Sequence, residues 1–382
     1  MLQRLLQQLR HFVTALGLLA LCVMVAELWL RSTRPMRTPQ VAAGVTAFRQ
    51  KDLIPSATLH HQMRPLAAVN NSTGAGTFAT NSLGLRGKEP AIPATKGTFR
   101  ILLLGDEAVT GPWLADDETL SVQLQRQLAL KLEGPVEVIN AGVPGFSPLL
   151  SHLQYEQQLQ QLAPDLVILH LDMSDVADES QYRPRLRRQG SRQACMHALL
   201  DNPREDMHPL VGMFRESAVA QTLLSEMMTN GQSVELSERY GWTKTEAGRS
   251  VTEVRLMMQS VSMLRKRVQS QGRQLIVTSS PVPWQVMSPE EFPQLCNRYE
   301  VSGERAITSD GPFQLFAAWG RAERVPVCSV VAAFRKFEHP RKLFRRDMPR
   351  LSRYGTALQA HVLAKKIVET PAVVAGRLRS PL

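Results

Sequence analysis

Five short apolar runs alternate with helix-periodic segments over most of the chain, and this alternation limits the fold more than any other feature. Residues 100–104 (RILLL), 136–140 (VEVIN), 166–171 (LVILHL), 274–278 (QLIVT) and 325–330 (VPVCSV) read as strands. Between and after them, helices are predicted at about 117–132, 149–162, 251–271, 313–320 and 354–369. In the first of these, Leu120, Leu124, Leu128 and Leu132 recur every fourth residue and build one apolar stripe. Strand and helix in alternation imply a parallel sheet covered on both faces. Such sheets carry their sites at the carboxyl ends of the strands.

A chain of 382 residues with 43% apolar and 21% charged residues can bury a large core, so general disorder and collagen-like classes are excluded. The four cysteines, Cys22, Cys195, Cys296 and Cys328, are scattered and form no C-x-x-C pair, so neither a disulfide framework nor a zinc site is expected. The net charge of +11 is unevenly placed: residues 321–382 hold 14 basic side chains against Glu323, Glu338, Asp347 and Glu369. Such a face attracts anionic lipid head groups or an acidic polysaccharide, or is simply a solvated surface. No nucleic-acid module accompanies it, and no nucleic-acid partner is expected.

Residues 12–30 (FVTALGLLALCVMVAELWL) are almost uninterrupted apolar sequence. A helix of about 19 residues spans a hydrocarbon core of roughly 30 Å. No small-x-small cleavage site follows, so the expectation is an uncleaved anchor at 1–31 that holds the chain to the cytoplasmic membrane. Arg31, Arg34 and Arg37 after the span outnumber Arg4 and Arg10 before it, which by the positive-inside rule favours a cytoplasmic C-terminus. Beyond the anchor, the expected order is a linker at 32–58, a hairpin-containing lead-in at 59–98, the α/β domain at 99–372 and a basic tail at 373–382. Residues 181–248 break the strand–helix rhythm and read as an insertion over the top edge of the sheet.

Polar residues gather where the strands end. The first strand runs into LLLGDEAVTG, with Gly105, Asp106 and Glu107; neither dinucleotide nor P-loop spacing can be written there, so no cofactor is expected. The second runs into VINAGVPGFSP, where Gly142 and Gly145 permit a tight turn whose N–H groups could stabilise an oxyanion. The third runs into HLDMSDVADES, placing His170, Asp172, Ser174, Asp175 and Asp178 at or past its end. Near the C-terminus, RRDMPRLSRYG sets Asp347 and Arg350 ahead of the last helix.

In this order and spacing the blocks resemble the SGNH (GDSL) hydrolase superfamily, over about residues 60–370, and TNSLGLRG at 80–87 is similar to the hairpin that leads into its membrane-anchored bacterial members. The resemblance implies a flavodoxin-like three-layer sandwich around a central five-stranded parallel sheet. It also implies a domain held outside the cytoplasmic membrane, against the charge count. The family's chemistry uses a serine nucleophile, a glycine N–H and an asparagine as oxyanion donors, and an Asp-x-x-His pair. Carried over residue by residue, the serine position holds Glu107, the asparagine position Ser174 and the histidine position Arg350; Gly145 and Asp347 match.

These departures change the chemistry. A carboxylate repels a developing oxyanion, and a guanidinium cannot accept a proton at neutral pH. The expectation is a chain without serine esterase activity, in which Glu107 and Arg350 pair and Asp347 is a second carboxylate partner of Arg350. Asp106, His170, Asp172 and Asp175 are candidate binding residues, and no metal is expected. The implied role is binding of a ligand, an acidic glycan or an envelope protein. The alternative is an ester hydrolase or O-acyl transfer enzyme using other residues, with Ser147 the nearest spare hydroxyl and His170 the nearest spare imidazole.

Overall fold

The computed structural model describes residues 53–70, 77–189, 192–197, 240, 250–299, 310–374 and 376–378. The apolar span at 12–30, residues 32–52 of the expected linker and most of the 181–248 segment lie outside the described residues. Among the described residues no helix is long and apolar enough to cross a membrane.

Two small antiparallel pairs precede the main sheet: β1 (Leu53–Ser56) with β2 (His60–Met63), and β3 (Ala68–Asn70) with β4 (Thr77–Ala79). The main sheet is built from β5 (Phe99–Leu104), β6 (Val136–Asn140) and β7 (Leu166–Leu171), then β10 (Gln274–Ser279) and β11 (Val327–Ser329). A further hairpin of β8 (Leu186–Gln189) and β9 (Arg192–Cys195) sits between β7 and β10 in sequence. The main sheet is entirely parallel, in the order β6-β5-β7-β10-β11. Numbered by appearance these five strands run 2-1-3-4-5, the flavodoxin-like order with a topological switch between the first and third.

The period of two along each strand sends alternate side chains to opposite faces. Phe99, Ile101 and Leu103 of β5 join Ile168 and Ile276 in one core, against Leu120, Leu124 and Leu128 of a helix at Leu120–Ala129 and Leu363 and Ile367 of a helix at Arg353–Val368. Leu102 and Leu104 join Val167, Leu169 and Val277 in the other, under Met257, Val261 and Leu264 of the helix Ser250–Ser270 and Phe313 and Phe316 of the helix Gly311–Glu323. The result is α/β with helices on both faces. Each fully buried aliphatic side chain contributes about 1.5–3 kcal/mol, so these two faces supply the main driving force.

Local departures from the predicted elements have local causes. The predicted strand at 325–330 shortens to Val327–Ser329, because the Val325 N–H is bonded to Gly320 O and Val330 begins the short helix Val331–Arg335. The helix predicted from 117 begins at Leu120, since Thr119 is extended and Asp116–Glu118 forms a separate 3-10 turn. The helix predicted at 149–162 is α-helical over Pro148–Gln154, π-helical over Tyr155–Leu159 and 3-10 over Gln160–Leu162.

Candidate functional site: a buried carboxylate and guanidinium network

The site begins where β5 ends. Helix α1 (Glu107–Thr110) starts immediately after the strand, and the Asp106 carboxylate caps it by accepting the Ala108 N–H at 2.9 Å. Its far end is held from the lead-in: Arg86, in the TNSLGLRG segment, donates to the carbonyls of Thr110 at 3.0 Å and Leu114 at 2.9 Å and pairs with Asp116 at 2.6 Å. Glu107 is thereby fixed at the carboxyl edge of the sheet, and it is buried.

The turn after β6 closes over it. Gly142 has no room for a side chain: a Cβ there would lie 2.5 Å from the Thr110 nitrogen. Gly145 has φ +75°, a left-handed conformation that favours glycine. In that conformation the Gly145 N–H donates to Glu107 Oε2 at 2.9 Å. The donor that the resemblance assigns to an oxyanion is therefore occupied by the chain's own carboxylate.

Arg350 completes the centre. Its Nη2 bonds Glu107 Oε1 and lies 3.2 Å from Ser174 Oγ and 3.4 Å from Asp106 Oδ2, while Nη1 pairs with Asp172 Oδ2. Burial opposes the Arg350 charge, yet Glu107 and Asp106 more than offset this and hold its pKa above the ordinary value. Ser174 leans on Asp172, donating both its backbone N–H, at 2.5 Å, and its hydroxyl, at 2.6 Å, to Asp172 Oδ1. Helices α2 (Leu120–Ala129) and α3 (Pro148–Gln154) precede α4 (Asp175–Tyr182), which follows Ser174 directly. Asp175, its first residue, accepts the Asp172 N–H at 2.8 Å. Burial, followed by repulsion from Asp106, Asp178, Glu179 and Glu107, raises the Asp175 pKa well above the carboxylate range.

Glu107, Gly145, Ser174 and Arg350 thus come together, with Asp106, Asp172 and Asp175 around them. Asp347 does not. Its side chain is 54% exposed and pairs with Arg345, and the expected contact with Arg350 is absent. The correction has a physical reason: Arg350 already faces the carboxylates of Asp106, Glu107 and Asp172, and a fourth would meet like charge in a desolvated site. At the surface, water and Arg345 stabilise Asp347 without that cost.

His170 is embedded in β7, and its Nε2 lies 2.9 Å from Ser280 Oγ. Burial, then the Arg350 charge, pushes its pKa down to about 3. Ser280 escaped the sequence reading, although its signal is visible: TSSP ends the fourth strand, and Ser280 is the first residue past it, at the edge where polar residues matter. The Ser147 hydroxyl, singled out earlier, is fully buried at the start of α3, and the carboxylate engaged there is Glu179, which accepts the Leu149 N–H at 3.0 Å. Among the described residues no group of His, Cys, Asp and Glu is placed to hold a metal ion.

A second buried cluster supports the Gly145 turn. The His61 Nε2 is 2.8 Å from the Pro144 carbonyl, and its Nδ1 is 2.9 Å from His60 Nδ1. The His60 ring lies 4.5 Å from that of His197 and 4.8 Å from that of Tyr182, with Arg185 Nη1 at 3.1 Å from its Nε2. Burial, reinforced by the other histidines and Arg185, lowers the His60 pKa to about 2; burial likewise lowers His61 to about 4. A histidine held neutral in the fold takes up its proton only on unfolding, so stability falls as pH drops from the unfolded value of 6.5 toward 4. Asp175 and Glu179, both raised by burial, act the other way, because the fold keeps protons that the unfolded chain releases. His60, His61 and His170, joined by the lowered His152 and His197, outnumber these two acids. The expected outcome is a loss on the order of 1–3 kcal/mol per pH unit below about 6.5. Urea midpoints at about pH 7 and about pH 5 check it; equal midpoints would refute the histidine assignment.

No family model matches the sequence, and no curated protein matches it. Solved structures similar to the chain include the lipase/acylhydrolase from Enterococcus faecalis, 14% identical with a TM-score of 0.39, covering 74% of this chain and 98% of that one. A catalytic mutant of an acetylxylan esterase from Geobacillus stearothermophilus is 12% identical with a TM-score of 0.39, covering 70% and 93%. A GDSL-like lipase from Bacteroides thetaiotaomicron is 13% identical with a TM-score of 0.37, covering 73% and 91%. Chains of the SGNH and GDSL hydrolase group are what this chain is similar to.

Proposed function

We propose that the chain is a membrane-held protein of the SGNH (GDSL) hydrolase type that has lost serine ester hydrolysis and serves to bind a ligand or partner in the cell envelope. The observation that carries this reading is the Glu107 carboxylate, gripped by the Gly145 N–H and by Arg350 at the head of the sheet. A substrate's developing oxyanion would need the same donor and would meet a negative charge in its place. The apolar run at 12–30 supports the membrane attachment, and the resemblance to anchored bacterial proteins supports a domain on the outer side.

A second reading is favoured by one contact, the Ser280–His170 pair, in which a hydroxyl and an imidazole lie within hydrogen-bonding reach. Against it, burial lowers the His170 pKa to about 3, so it is a weak base, and Ser280 is only 6% exposed. The test is turnover of p-nitrophenyl acetate by the full chain in detergent. The expected rate equals the buffer background for the wild type and for Ser280→Ala. Turnover that Ser280→Ala abolishes would replace the binding reading with the second one. Protease added to intact spheroplasts is expected to digest the domain; protection until lysis would place it in the cytoplasm.

A further inference from the structure

A cleft of about 670 Å³ opens beside the buried network, and Trp113 lines both it and the small cavity that reaches Arg350 and Ser280. Its walls carry Arg298, Arg341, Lys342, Arg345, Arg346 and Arg353. Among the described residues, the acidic side chains on those walls are Glu118 and Asp347. Three of the cations are partly neutralised: Arg345 by Asp347, Arg353 by Glu118 at 3.5 Å, and Arg341 by Glu291. Lys342 and Arg346 are exposed and have no carboxylate partner among the described residues. The unbalanced positive charge noticed in the last sixty-odd residues of the sequence is therefore concentrated, in part, in one concave surface.

We infer that this cleft binds a carboxylate-bearing oligosaccharide. The volume falls within the roughly 300–1,000 Å³ range of ligand pockets, and concavity suits a compact chain better than a flat membrane. Arginine, which dominates the walls, is the side chain whose planar fork matches a carboxylate with two parallel hydrogen bonds. One aromatic ring, Tyr354, stands half exposed at the rim, with the Arg353 guanidinium 4.8 Å from its centre, and offers an apolar face to a sugar ring. The other rings on the described walls, Trp113 and Phe344, are buried, so among the described residues there is no stacking platform of the kind a nucleic-acid strand requires. Among the described residues, apart from Tyr354 no exposed large apolar side chain lines the cleft to enter a lipid surface. This inference goes beyond the function proposed above and does not depend on it, because the cleft is separate from the Glu107–Arg350 centre and would bind whether or not that centre is inert.

The experiment is titration of the full chain in detergent with a homogalacturonan oligosaccharide, compared with a neutral cello-oligosaccharide. The expected result is saturable binding of the acidic sugar alone. Lys342→Glu combined with Arg346→Glu is expected to weaken it by at least about 10-fold, the loss of a charge-assisted hydrogen bond or more. Arg321→Glu combined with Lys365→Glu makes the same charge change on exposed positions outside the cleft and is expected to leave affinity within about 2-fold, as for a screened distant charge. Equal weakening by both pairs, equal binding of the neutral sugar, or no binding of the acidic sugar would overturn the proposal. Tighter binding to phosphatidylserine vesicles or to a single-stranded oligonucleotide, lost in the cleft variant, would overturn the assignment to a glycan. Thermal melting of both variants separates a lost site from a lost fold: a variant that melts like the wild type and fails to bind supports the cleft. If the cleft pair melts lower, single Lys342→Ala and Arg346→Ala variants that melt normally decide by the same comparison.

Discussion

Arg350→Met is expected to destabilise the fold by about 3–5 kcal/mol, because it leaves carboxylates buried without their counter-ion. The cost comes from those that remain: Asp106, Glu107 and Asp172 are all buried and all face this guanidinium. Methionine fills similar volume, so packing contributes little to the loss. The same substitution combined with Glu107→Gln and Asp172→Asn is expected to cost much less, since the uncompensated charges go with it. Urea unfolding of the wild type, the single variant and the triple variant measures this. A single-variant effect of about 0.5 kcal/mol, ordinary for surface positions, would mean that water screens the network.

The second large effect concerns chemistry that should not return. Glu107→Ser with Arg350→His places a hydroxyl and an imidazole where the resemblance assigns them, yet ester hydrolysis is expected to stay at background. Asp347, which would orient that imidazole by the resemblance, is at the surface beside Arg345. Ser174 supplies no amide donor, and its hydroxyl is already donated to Asp172. Loss of one oxyanion donor costs about 100-fold to 1000-fold elsewhere. Adding Ser174→Asn is expected to raise the rate above the double variant. Ordinary esterase rates from the double variant alone would show an enzyme masked by only two substitutions.

The sheet was legible because each strand advertises itself. RILLL, VEVIN, LVILHL and QLIVT are short apolar runs whose alternate residues end in two different cores, and their chain order permits few parallel arrangements. The meeting of Glu107 with Arg350 was legible through the resemblance, which sets these two positions side by side, while the strand pattern alone put Glu107 at the carboxyl edge of the sheet. The choice among carboxylates was not. Asp347 is three residues from Arg350 in sequence, but nearness along a loop says nothing about desolvation, and the carboxylates that reach Arg350 come from the segments just past β5 and β7. The contacts of the His60–His61 pair were missed because contacts between distant segments leave no period or spacing in the sequence; Ser280 stood at a strand end, but its pairing with His170 left no such mark. The π-helical turn at Tyr155–Leu159 was likewise invisible, since its apolar pattern differs little from that of a continuous helix.

Reaction of the full chain with a fluorophosphonate probe, read by intact mass, tests most directly whether the head of the sheet is closed to serine chemistry. With Glu107 holding the Gly145 N–H and Arg350, no serine should form an adduct, and the mass should match that of the untreated chain. A stoichiometric adduct mapped to Ser147, Ser174 or Ser280 would contradict this, because it would require an activated hydroxyl and an open oxyanion site where the Glu107 carboxylate now lies.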